Sequence, residues 1–102
     1  MTNEAALKDA LHNVGPVTVG IDATNKIFQL YKTGIITIPG NDVNHGVVAV
    51  GYGRENDLDF YKLRNSWGSI WGEDGYFRIQ AGNNTVSIAQ GLKAGLGVYP
   101  RM

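Results

Sequence analysis

The chain has 102 residues, with nine basic and nine acidic side chains that cancel to a formal net charge of zero. That length allows one small domain or a piece of a larger one, and the balanced charge excludes the clustered Lys and Arg of a nucleic-acid footprint. No apolar run is long enough to cross a bilayer, and without a single cysteine neither a disulfide nor a thiolate metal site can form within the chain.

Taken in order, "EAALKDALHNV" (4–14) places Leu7, Ala10, Leu11 and Val14 on one face at helical spacing. Glu4 and Lys8 stand four apart as an i,i+4 pair, and Gly15-Pro16 ends the helix. "VTVGIDA" (17–23) alternates as a strand. "NKIFQLYKTG" reads as an irregular helical turn and "IITI" as a short strand closed by Pro39-Gly40. "HGVVAVGYG" (45–53) lacks a polar face, which predicts a strand buried on both sides. "RENDLD" is then a polar turn, "FYKLRN" an alternating strand with Tyr61, Leu63 and Asn65 on one side, and "GYFRI" a further strand. "AGNN" is a turn, and "TVSIAQGLKAGLGVYP" supplies a last strand or two. One helix followed by about six strands predicts an α+β domain, the helix packed on a strongly bent antiparallel sheet or half-barrel. There is no repeat and no linker, so residues 1–102 form a single domain.

Two stretches stand out. His45 opens the "HGVVAVGYG" strand. On position alone it reads either as a core histidine bonded to backbone or as a general base, since imidazole changes charge near neutral pH. A base needs its second ring nitrogen held by an acceptor, and Asn65 can supply one. Directly after it, "NSWGSIWG" sets Trp67 and Trp71 four apart, each followed by glycine. Packing accounts for two tryptophans, but the glycines permit positive φ and so a shaped loop. A ring beside an Asn–His hydrogen bond would also exclude water and strengthen that bond. Elsewhere "GYGREN" is no dinucleotide fingerprint, "NDLDF" lacks the glycine and distal Glu of a calcium loop, and His12 and His45 offer no zinc set. His12 reads as a favourable charge at a helix end. "NNT" at Asn83 is a glycosylation sequon that has meaning only in a secreted chain. No cofactor or metal is expected.

Together, "GPVTVGIDA", "FQLYKTGI", "VNHGVVAVGYG", "YKLRNSWGSIWGEDGYFRI" and the terminal "VYP" resemble the papain-like cysteine peptidases of the cathepsin group, over essentially the whole chain. The resemblance is to the C-terminal, β-barrel-like half of that fold. The other half carries the nucleophilic cysteine and the oxyanion-hole glutamine. It implies that His45 is the catalytic histidine, Asn65 its orienting partner and Trp67 the shielding ring. It further implies that Gly20, Val43 and Gly46 line a substrate pocket, roomy because two of the three are glycine. The implied partner is a Cys-bearing half in the manner of a heavy chain, and the implied substrate a peptide or protein. The implied setting is lysosomal or secreted, with neither nucleic acid nor membrane as partner. The family's usual cysteines after the "YKTGI" strand and before the tail are missing, which loosens that localisation. The readings that follow are a light-chain-like half of a cysteine peptidase, inactive alone, or a non-catalytic papain-like subunit of an assembly.

Overall fold

In a computed structural model, residues 3–86 and 88 are described. The helix α1 runs Asn3–Asn13. Its inward face is Leu7, with Ala10 and Leu11 packed against the core, whereas Val14 lies past the helix end and is exposed. Gly15 takes a φ of 139° there, and its amide donates to the Ala10 carbonyl, which caps the helix as a glycine past the last turn does. Glu4 does not pair with Lys8. Its carboxylate is buried and accepts from the Gly82 and Asn84 amides, while the Lys8 ammonium sits over the Tyr52 ring. A pair on an exposed helix face is worth a few tenths of a kcal/mol, and two backbone donors to one buried carboxylate are worth more.

Five strands follow: β1 (Val17–Ile21), β2 (Ile35–Ile36), β3 (His45–Glu55), β4 (Leu58–Arg64) and β5 (Tyr76–Gln80), with α2 (Lys26–Gln29) between the first two. They form one sheet in the order β1-β3-β4-β5-β2, antiparallel except for the β2–β5 pair. The expected α+β architecture of a helix on a bent sheet is present. The sheet is mixed and open, because β2 reaches the far edge by a crossover and adds there in parallel. The α2 turn starts at Asn25, whose side chain accepts from the Ile27 amide.

Alternation builds the core. Val17 lies opposite Ala49, Ala49 opposite Leu63 and Leu63 opposite Phe77, and all four are buried. A bulge between Ala49 and Gly51 shifts the register of β3 and adds bend. β3 is not buried on both faces: Val47 and Ala49 are buried, Val48 and Val50 half-buried, Gly46 and Tyr52 exposed. The second face is apolar in sequence yet only partly covered. The turn after β3 contracts from six residues to Asn56-Asp57, both at positive φ (51° and 64°). That is the two-residue turn whose twist suits a hairpin, and it frees Arg54, Glu55 and Leu58 to join the ladder. Of the expected last strands, Thr85 bridges to Pro39, the Val86 amide donates to the Ile38 carbonyl, and buried Ile88 donates its amide to the Thr85 carbonyl in a turn rather than a strand; the remainder of that stretch lies outside the described residues.

Candidate active site

His45 and Asn65 meet because both keep the parity of the core face. His45 is two residues before Val47, Asn65 two residues after Leu63, and Ala49 pairs with Leu63 in register. The two side chains therefore emerge on one side at one end of the sheet, where His45 Nε2 lies 2.7 Å from Asn65 Oδ1. Asn65 is buried, and its amide donates to the Gly75 carbonyl, fixing the chain where β4 ends.

The hydrogen bonds determine the imidazole tautomer. The Ser66 amide, which can only donate, lies 2.8 Å from Asn65 Oδ1. That atom is therefore the acceptor oxygen, so His45 Nε2 must carry the hydrogen and Nδ1 the lone pair of the neutral ring. Asn65 Nδ2 is buried and has no partner among the described residues. An orphan donor of this kind costs about 1–3 kcal/mol, yet flipping the amide would set its NH2 against the Ser66 N–H, which can only donate. The cheaper fault is kept.

Trp67 stands beside the pair. Its ring centroid is 5.2 Å from that of His45, and the residue is 41% exposed. Phe28 from α2, wholly buried, packs against Trp67, Trp71 and Phe77 at centroid distances of 5.4, 5.1 and 5.0 Å. Trp71 Nε1 donates to the Gln29 carbonyl. The glycines after each tryptophan take positive φ as expected, 89° at Gly68 and 64° at Gly72. At Gly72 a Cβ would also lie 2.6 Å from the Tyr76 carbonyl oxygen, so no other residue fits without moving the chain.

Gly20 pairs with Gly46 across β1 and β3, Gly20 buried and Gly46 exposed, while Val43 is half-buried just upstream of His45. A Cβ on Gly46 would meet nothing within 4 Å. The concavity there, about 320 Å³, is bounded by Gly46, Val47, Val48, Arg64, Asn65 and Ser66. It takes in Gly46 but neither Gly20 nor Val43. His12, set apart from this region by sequence, lies with Nδ1 3.0 Å from the Tyr52 hydroxyl rather than serving only as a helix-end charge.

Asp22 is the neighbour that sequence reading missed. It is 4% exposed, and among the described residues no cation pairs with it. Oδ1 accepts from the Thr24 amide, the Thr24 hydroxyl and Asn44 Nδ2, and Oδ2 from the Asn41 and Asp42 amides. The Thr24 hydroxyl above all, then the Asn41 and Thr24 amides and the Asn44 side chain, hold this carboxyl far below the usual carboxylate range despite its burial. An acid in the middle of an apolar alternation, "VTVGIDA", was the available signal. Glu73 is the second depressed carboxyl. Arg78 first, then Thr33 and the Gly34 amide, bring it down to about 2 against the opposing effect of burial.

An open bent sheet with one helix on its inner face, and an asparagine fixing a histidine tautomer at one end, define a papain-like hydrolase domain. The profile of the papain family of cysteine proteases matches residues 1–96, and the chain belongs to that family. It is 51% identical over 79 residues to a probable cysteine protease RD21C of Arabidopsis thaliana, covering 76% of this chain and 17% of the relative. It is 43% identical over 100 residues to cathepsin S of Bos taurus, covering 96% and 28%. Among solved structures, procathepsin L 3 of the Tenebrio molitor larval midgut superposes with a TM-score of 0.80 at 42% identity, over 97% of this chain and 32% of that one. The chain thus spans less than a third of the length of these relatives.

Proposed function

We propose that the chain is the histidine-bearing half of a cysteine peptidase site and hydrolyses peptide bonds when paired with a half that supplies the thiol. The single observation that carries this reading is the 2.7 Å His45 Nε2 to Asn65 Oδ1 bond, together with the Ser66 amide that fixes which atom accepts. His45 Nδ1, the free lone pair, takes the proton of the partner's cysteine thiol and leaves a thiolate–imidazolium pair, a nucleophile at neutral pH. The thiolate attacks the substrate carbonyl carbon, and imidazolium returns its proton to the leaving amine as the peptide bond breaks. Neutral His45 then draws a proton from water, whose oxygen attacks the thioester. The acid product leaves and the thiol is restored. Asn65 holds the ring plane through each transfer, and Trp67 keeps water from the Asn–His bond. Gly20, Val43 and Gly46 remain the residues proposed for the substrate pocket, with Gly46 at its open wall.

Exposed apolar side chains near this end of the sheet support a docking half. Trp67 is 41% exposed and Ile70, between the two tryptophans, is wholly exposed. The test is intact mass spectrometry of the native assembly with and without an epoxide that alkylates active-site thiolates. A second polypeptide that gains one probe mass is the expected result. A partner that never takes the probe overturns catalysis in favour of a papain-like scaffold.

A further inference from the structure

The segment from Thr37 to Asn44 delivers His45 to the sheet, and apart from one bridging residue it belongs to no strand. The ladder to β1 ends at His45 opposite Ile21, so the loop ahead of it is held by other contacts. We propose that Asp22 is a positioning residue for His45: its buried carboxylate gathers the 41–44 loop onto the end of β1 and so sets the height and direction at which the imidazole enters the site.

The contacts divide by function. Oδ2 binds only the loop, through the Asn41 amide at 2.7 Å and the Asp42 amide at 3.2 Å. Oδ1 binds the β1 side through Thr24 and the loop through Asn44 Nδ2 at 3.0 Å. Asn44 completes the clamp, its Oδ1 accepting from the Ala23 amide and its own amide donating to the Ile21 carbonyl. Every donor to this carboxylate among the described residues is therefore either next to its own strand or within four residues of His45. Among the described residues no cation pairs with it, and the charge is balanced there by oriented dipoles, an arrangement that depends on the loop staying closed. Ile21, one residue before Asp22, is the strand partner of His45. A shift of the loop thus moves the imidazole against its own register neighbour.

The catalytic meaning of this positioning rests on the function proposed above; the positioning itself does not, and it is read in this chain alone. The experiment is nitrogen-15 NMR of the histidine rings with amide hydrogen exchange, on the full chain and on Asp22→Asn, which keeps the shape but turns an NH2 toward donors. In the variant, exchange of the His45 Nε2 hydrogen and of the Asn41 and Asp42 amides is expected to rise by at least about tenfold while the Leu63 and Ile79 amides keep their protection. A variant whose His45 tautomer and Nε2 hydrogen match the unsubstituted chain overturns the proposal and leaves Asp22 a stabilising residue only. If Asp22→Asn does not fold, the unsubstituted chain decides. Asn41 and Asp42 amides that exchange as freely as exposed Thr37, beside a protected His45 ring, overturn it equally. Loss of probe labelling in the assembly with these ring signals intact would instead count against the catalytic reading.

Discussion

The two ends of the sheet carry buried polar groups of opposite kinds. At the end where α1 meets the turn after β5, everything is matched: Glu4 accepts from the Gly82 and Asn84 amides, and the Tyr61 hydroxyl donates to the Glu4 carbonyl. Burial first, and the nearby Glu4 charge second, raise the Tyr61 hydroxyl well above its ordinary range, so it stays a donor. At the His45 end Asp22 is matched in the same way, but Asn65 Nδ2 has no partner among the described residues, Trp67 is half-exposed and Ile70 is bare. A matched network holds the fold together. On the described contacts the Glu4 end is therefore the more completely paired of the two.

The comparison can be broken first at Phe28, which lies at the open end yet is a core residue. Phe28→Ala removes the ring on which both tryptophans lean and is expected to cost about 3–5 kcal/mol in urea unfolding, with a red shift of tryptophan emission. A loss below about 1 kcal/mol would show that the aromatic cluster does not support the site. Asn65→Ala sharpens the contrast. In the assembly proposed above, kcat/KM is expected to fall by about a hundredfold or more, with a stability loss of only about 1–3 kcal/mol as the Ser66 amide and His45 N–H lose their acceptor. A large stability loss with unchanged kcat/KM would invert the assignment of the two ends.

Glu4→Gln tests the matched end. It leaves the Gly82 and Asn84 amides facing a mixed donor and acceptor, for an expected loss of about 1–3 kcal/mol by urea denaturation and no change at His45 in ring NMR. The smallest effect is in pH. Glu73 is held down at about 2 from an ordinary 4.5, so its stabilisation is complete above the unfolded value and is lost as pH falls from about 4.5 to about 2. Asp22, depressed further still, contributes in the same direction. Thermal midpoints should stay level from neutral pH to about 4.5 and fall below it, with a shallower fall in Glu73→Gln. A midpoint that declines already between pH 7 and 5 would show that other groups govern acid stability.

Much of this was legible from residue order. Period-2 alternation put Tyr61, Leu63 and Asn65 on one face, helical spacing found α1, and glycine after each tryptophan announced the positive-φ loop. Those signals are local, so they survive without knowledge of the fold. The parallel partner of β2, the destination of the Glu4 carboxylate and the two-residue hairpin turn were not legible, because each depends on residues far along the chain or on strand twist.

Sequence alone, then, carried the family pattern, singled out His45 and Asn65 as the pair proposed for the chemistry, and foretold the architecture of one helix on a bent sheet. Tertiary structure alone decided that the pair meets at 2.7 Å, which atom of Asn65 accepts, and that Asp22 gathers the loop ahead of His45. The reason is physical. Side-chain type and periodicity are properties of neighbours in the chain, whereas a hydrogen bond across twenty residues exists only after the sheet has brought two strands into register.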